Sequence, residues 1–156
     1  MQGPRGFRRV AIVTFVGINA GPVLGHAPKL DTARIEEITG LKGMPIEQEC
    51  VFKVTSPRSD TRCGCDIGKE MGVNTWAAFA GTDEKAVVDG DFAMLEGELQ
   101  GVLKALRRAD INVVAIHHHM TGETPRILFL HYWGRGHAAA LARGLKAALD
   151  TQKEIP

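Results

Sequence analysis

Two amphipathic helices that enclose a pair of closely spaced strands dominate the second half of the chain. The first helix is predicted over about 96–109 because its apolar residues recur at i, i+3, i+4 and i+7: Leu99, Val102, Leu103 and Leu106. Two strands and a final helix follow: Asn112–His119, Arg126–Trp133 and His137–Asp150. Only a turn at Thr121–Pro125 separates the strands, and strands joined by so short a connection pair antiparallel. This half therefore favours an antiparallel sheet packed against helices.

The first half adds a short helix and three strand segments. Asp31 is a helix-capping residue type and Gly40 is a typical helix end, so a helix is predicted between them. Gly43 and Pro45 indicate a loop. The predicted strand segments are Cys50–Thr55, Thr75–Ala80 and Ala86–Leu95. Within the last of them, Asp89-Gly90-Asp91 is typical of a turn and predicts a hairpin or a bulge.

This order of elements predicts an α+β domain, a mostly antiparallel sheet with helices packed on one face. A helix–strand–turn–strand unit occurs in each half, which indicates a possible internal repeat. Pro57-Arg58 and Pro125-Arg126 stand at comparable points of the two units.

Residues 1–25 have the layout of a secretory signal peptide. Arg5, Arg8 and Arg9 form a basic start, and residues 10–25 carry no charge and end in small residues. The alternative is a retained N-terminal anchor, although this run of 16 residues is shorter than the roughly 20 apolar residues that span a bilayer. We expect cleavage near residue 25 and a single domain over 26–156, without stable membrane insertion, in the periplasm or outside the cell.

Charge and composition exclude several classes of function. The 156 residues are 44% hydrophobic and 24% charged, as in an ordinary globular protein. Loss of residues 1–25 leaves 16 basic and 18 acidic residues, so nucleic acid is not an expected partner. The sequence also lacks a P-loop, a dinucleotide-binding fingerprint and a Gly-X-Ser-X-Gly nucleophile elbow.

Three consecutive histidines end one predicted strand, and a fourth lies in the next. Because side chains alternate along a strand, His117 and His119 point to one face and His118 points to the other. The face of the pair is expected to carry two further residues of the strand, Val113 and Ala115. His131 joins the pair if the hairpin register is even, since a slip of one residue would turn it away. Three imidazoles on one face suit a divalent metal, with zinc or copper expected.

Three classes of function fit this cluster. The first is a metal-binding domain without catalysis, with His117, His119 and His131 as ligands. The second is a metal-dependent enzyme of the hydrolase type, in which Glu98 is a further ligand or the general base; Glu96 and Glu98 are the nearest carboxylates in sequence. The third is a module that binds a small molecule or an envelope anion through its histidines without metal. A solvent-facing polar row is the alternative to all three.

From Ile35 to Asp150 the sequence resembles the LppY/LpqO family, a bacterial group defined as a domain of unknown function. The resemblance rests on IEEITG at 35–40, VFKV at 51–54 with Pro57-Arg58, MGVNTWAAF at 71–79, HHH at 117–119, Pro125-Arg126 and FLH at 129–131. The family typically has His-Asn-His where this chain has three histidines, which implies that His117 and His119 form the functional pair. The resemblance also implies that His131 and Glu98 belong to the site and that the protein is exported, but it implies no reaction.

The three cysteines lie in the first half. Cys50 begins a predicted strand, and Cys63 and Cys65 lie in a turn-rich stretch before Met71. In an exported protein an odd count fits one disulfide plus a free thiol, a thiolate metal site or an intermolecular bridge. Cys63 and Cys65 are too close for an easy mutual disulfide, so a bridge from Cys50 to one of them is more reasonable. A soft-metal site of Cys63, Cys65 and Met71 is the alternative.

Overall fold

A six-stranded antiparallel sheet with three helices on one face forms the fold, which confirms the predicted α+β class. The computed structural model describes residues 30–152 apart from 59, 63–64 and 123–124, and for residues 60–62 and 65–66 it describes the backbone only. The predicted signal peptide therefore lies outside the described residues.

The helices and strands have the following bounds. The helices are α1 (Thr32–Thr39), α2 (Leu99–Arg108) and α3 (Ala138–Leu149). The strands are β1 (Gly43–Ile46), β2 (Val51–Pro57), β3 (Asp60–Arg62), β4 (Cys65–Ile67), β5 (Asn74–Gly81), β6 (Ala86–Leu95), β7 (Asn112–His117) and β8 (Ile127–Gly136). The sheet has the order β1-β2-β5-β6-β8-β7, and β3 pairs with β4 in a separate hairpin.

Two helix–strand–strand units, α1-β1-β2 and α2-β7-β8, lie at opposite edges of the sheet. This arrangement agrees with the expected internal repeat. The two Pro-Arg pairs are not equivalent, however, because Pro57 is the last residue of β2 whereas Pro125 and Arg126 precede β8.

The main core lies between the sheet and the helices. Phe79, Phe92 and Tyr132 of the central strands are inaccessible to solvent, as are Val102 and Leu106 of α2. The 3.6-residue spacing of α2 therefore places its apolar residues against the sheet, as predicted. The short helix α1 also begins and ends where its capping residues predict: the carboxylate of Asp31 accepts the Arg34 N–H at 2.9 Å, and Gly40 adopts a left-handed conformation.

Two turn predictions in the first half are wrong. Gly43–Ile46 forms the edge strand β1 and not a loop, and an edge strand can accommodate Pro45. Ala86–Leu95 is one continuous strand, without a hairpin or a bulge. Gly90 is needed there because a Cβ atom would lie 2.2 Å from the hydroxyl oxygen of Tyr132, which donates a hydrogen bond of 2.9 Å to the Trp76 carbonyl.

Strand β7 differs from its prediction in length and in regularity. It ends at His117, and a bulge interrupts its pairing between Val113 and Ala115. The bulge reverses the alternation, so Val113 packs on the helical side, opposite Tyr132, and only Ala115 shares the face of His117. The expectation that Val113 lies on the histidine face is therefore wrong.

The sheet face opposite the helices carries a second, smaller core. Its buried residues are Ile67, Val73, Ala93, Ile127 and Phe129, with Met120 packed against them. This cluster lies beside the histidines, and Phe129 belongs to both. Among the described residues, no helix is long and apolar enough to cross a membrane.

Candidate functional site

His117 and His131 lie on the open face of the sheet as diagonal neighbours. Ala115 pairs with His131 and His117 pairs with Phe129, so the register across the hairpin is even, as the predicted cluster requires. The two imidazole rings stack with centroids 4.8 Å apart at an angle of 27°. The structure thus brings together two of the predicted site residues through strand pairing.

His119 joins them by packing, since it lies two residues beyond the end of β7. Its ring is 5.1 Å from that of His117, edge to face, and stacks on Phe129 at a centroid distance of 3.4 Å. Gly72 backs this ring: a Cβ atom at Gly72 would lie 3.6 Å from two ring atoms of His119, and the φ of Gly72 is +82°. The second core, through Phe129 and the loop at Gly72, therefore positions His119.

Asp91 is the carboxylate that the sequence reasoning missed. In the cross-strand row Trp76–Asp91–His131–Ala115 it stands directly beside His131. Asp91 is only 5% exposed, and its Oδ2 lies 3.7 Å from Nδ1 of His131. Its Oδ1 is buried and has no hydrogen-bond partner within the described part of the chain. Its position beside His131 comes from the pairing of β6 with β8, which the spacing of residues in the sequence does not reveal.

The pKa of Asp91 is raised by its burial and is lowered, to a smaller extent, by the charges of His131, His117 and His119 and by the Leu130 N–H. A buried carboxylate with an unsatisfied oxygen requires either a proton or a nearby positive charge. The histidine cluster is where such a charge would reside. Asp91 and the three imidazoles therefore form one electrostatic unit.

The Nδ1 atoms of His117 and His131 both face an oxygen atom of the protein. Nδ1 of His117 lies 3.3 Å from the Phe129 carbonyl oxygen and can donate to it, which leaves Nε2 as the nitrogen with a free lone pair. Nδ1 of His131 faces Asp91 in a comparable way. A histidine that donates one N–H to a carbonyl or carboxylate while its other nitrogen binds an ion is the usual arrangement at metal sites.

His118 has neither ring nitrogen available. Its Nδ1 can donate to the Ile127 carbonyl at 2.9 Å, and its Nε2 can accept from the Arg126 guanidinium at 3.2 Å. These contacts hold the chain beyond β7 against the start of β8. Since β7 ends at His117, these hydrogen bonds and not strand alternation orient His118.

Glu98 is engaged in a buried ion pair. Nη2 of Arg58 lies 3.2 Å from Oε1 and 3.1 Å from Oε2 of Glu98, and the side chains are only 10% and 3% exposed. Oε2 also accepts the Leu95 N–H at 2.8 Å. Glu98 thereby joins the end of β2 to the start of α2, and this engagement favours a structural role for it over a role as ligand or general base.

The imidazoles pack on one another and do not surround a common point. Within the described residues, no group of three or more His, Cys, Asp or Glu side chains is arranged so that it could hold a metal ion. Cys63 and the side chain of Cys65 lie outside that description, so the disulfide pairing stays a prediction. The Cys50 thiol lies 3.9 Å from the Glu47 carbonyl oxygen.

The comparisons with known proteins identify the family. Residues 33–151 match the model of a family described as a Domain of Unknown Function (DUF1259), and the chain belongs to it. No curated protein and no solved structure matches the sequence significantly.

Proposed function

We propose that this domain binds a divalent metal ion, zinc or copper, through the imidazoles of His117, His119 and His131. Asp91 orients His131 and balances part of the ion's charge. The observation that carries the proposal is a cluster of three imidazole rings, in which those of His131 and His119 lie 4.8 and 5.1 Å from that of His117, beside a buried carboxylate with an unsatisfied oxygen. A dication bound there would meet the electrostatic requirement of that carboxylate.

Metal binding requires the rings to turn from their stacked positions. His119 is exposed, and the side chain of His131 is 43% exposed, so both have room to rotate. Each lost ring contact costs about 1 kcal/mol, so coordination has to contribute more than the ring packing that it replaces.

A second candidate is a metal-free site that binds an anion. The stacked rings favour it, because their nitrogens do not converge as metal ligands do. Protonation of the imidazoles would then supply positive charge beside Asp91, and a protonated ring donates from both of its nitrogens, so that the exposed one could bind an anion.

We also propose that the protein belongs to the LppY/LpqO group, on the motifs between residues 35 and 131. We propose in addition that it is exported to the periplasm or beyond, because Arg5, Arg8 and Arg9 precede an uncharged run.

A metal-dependent hydrolase would use the same histidines, and an open coordination position on the bound ion would favour it over a purely binding role.

Calorimetric titration of the purified protein with zinc and with copper tests the metal proposal. We expect one ion per chain, an affinity loss of at least 100-fold in His117→Ala, His119→Ala or His131→Ala, and a loss of about 10–100-fold in Asp91→Asn. His118→Asn is the matched control and should bind as the wild type does. Absence of binding, with phosphate bound instead, would support the anion site. Equal losses in all variants would contradict both assignments.

A further inference from the structure

Among the described residues, a groove between α2 and α3 is lined by three cationic side chains and by no acidic one. It has a volume of about 480 Å³, and Lys104, Arg108 and Arg143 contribute its charges. All three residues are exposed, and within the described part of the chain none is paired with a carboxylate. Lys104 and Arg108 lie one helical turn apart, so they repel each other. This local concentration of charge contrasts with the near-neutral balance of the whole chain.

Small residues form the floor of this groove. Gly101, Ala105, Ala140 and Gly144 line it, and a Cβ atom at Gly144 would lie 2.4 Å from that of Ala109. The helices can approach closely because these residues are small. The groove is open to solvent, and its cations are spread along two helices. Such a spread of positive charge matches an array of anionic headgroups better than it matches one small anion.

We propose that the α2–α3 face docks on an anionic phospholipid surface, with Lys104, Arg108 and Arg143 contacting the phosphates. The helices cover one side of the sheet and the histidines lie on the other. Docking therefore leaves the histidine cluster facing away from the membrane. The protein lies on the surface without insertion, and this inference is independent of metal binding at the histidines.

Vesicle co-sedimentation of the full chain tests the proposal. We expect binding to phosphatidylcholine vesicles that contain phosphatidylglycerol, little binding to pure phosphatidylcholine, and a decrease with added salt. Each of the three cations should contribute roughly fivefold to the partition coefficient, so Lys104→Gln/Arg108→Gln/Arg143→Gln should lose about 100-fold. The matched control Arg34→Gln/Lys85→Gln/Arg135→Gln removes the same charge from exposed positions outside the groove and should lose severalfold at most.

A second variant keeps all three cations. Ala147 is exposed in the groove, and Ala147→Glu should weaken vesicle binding without removing a positive charge. Circular dichroism checks that each variant is folded. Equal losses in the two triple variants, or no preference of the wild type for anionic vesicles, would overturn the proposal. Polyglutamate that binds as tightly as the vesicles, with the same dependence on the groove, would identify an acidic polypeptide as the partner and would also overturn it.

Discussion

Substitution of Glu98 by Gln separates a structural role for this residue from a role at the histidine cluster. The change removes the negative charge opposite Arg58 but keeps the shape of the side chain and an oxygen that can accept the Leu95 N–H. Arg58 then remains buried without its counter-ion, because its side chain is only 10% exposed.

The expected loss of stability is large. Removal of one partner from a buried ion pair costs about 3–5 kcal/mol. The retained hydrogen bond to Leu95 places Glu98→Gln near the lower end, at about 3 kcal/mol. For a domain of about 120 residues, this corresponds to a fall in melting temperature of roughly 10 °C. The double substitution Arg58→Met/Glu98→Met should lower the free energy of unfolding by less than Glu98→Gln does, because it leaves no unpaired charge buried.

Urea unfolding followed by circular dichroism, with chelator present, measures these free energies of unfolding. The metal titration is then repeated on folded Glu98→Gln protein, where the affinity should match that of the wild type. A destabilisation below about 1 kcal/mol would refute the assignment of a buried ion pair. A large loss of metal affinity in the folded variant would instead restore Glu98 as a ligand.

Three further predictions concern the sheet. Burial raises the pKa of Tyr132, the one tyrosine of the chain, well above its usual value, and Asp89 and Asp91 raise it further. The stability that depends on its neutral form should therefore be lost above about pH 10, and tyrosinate absorbance should appear only as the protein unfolds; tyrosinate in folded protein would contradict this. The raised pKa of Asp91 means that its protonated form favours folding and that this contribution is lost as the pH rises above about 4. Metal-free Asp91→Asn should thus be more stable than the wild type at pH 7 by about 1 kcal/mol, and this difference should shrink in acid. An equal or lower stability of the variant at pH 7 would contradict the claim that the buried charge of Asp91 destabilises the fold. Gly90→Ala should destabilise the fold by about 2–3 kcal/mol in thermal unfolding, because a Cβ atom would lie 2.3 Å from the Trp76 carbonyl oxygen and 2.2 Å from the Tyr132 hydroxyl oxygen, so that both must move; a loss below about 0.5 kcal/mol, as at an ordinary surface position, would refute the clash.

The parts of the fold that the sequence predicts are those governed by local chemistry. The apolar spacing of α2, the caps of α1 and the paired strands β7 and β8 each depend on neighbouring residues, and the structure contains them. Asp89-Gly90-Asp91 was misinterpreted as a turn because the need for Gly90 comes from Tyr132 on another strand. The edge strand β1 was missed because Pro45 and Gly43 are also typical of loops.

In the candidate site, too, the contacts between neighbouring strands could be predicted from the sequence, and the contacts with more distant segments could not. Strand alternation and an even register bring His117 and His131 together, as predicted from sequence. The position of His119 depends on Phe129 and Gly72, and the bulge in β7 has no local sequence signal. Asp91 could not be found from spacing in sequence because it meets His131 only through the pairing of β6 with β8. The pattern of neighbouring residues does not specify which distant strands pair, and this pairing places Asp91 beside His131.

An anomalous difference map from crystals of the zinc-loaded protein tests the central proposal most directly. The predicted result is one zinc peak within about 2.0–2.1 Å of a nitrogen of each of His117, His119 and His131, with Asp91 beside His131 and His118 still bonded to the Ile127 carbonyl. A zinc peak at the cysteines, or histidines that remain stacked with no peak among them at saturating zinc, would contradict the assignment of this cluster as a metal site.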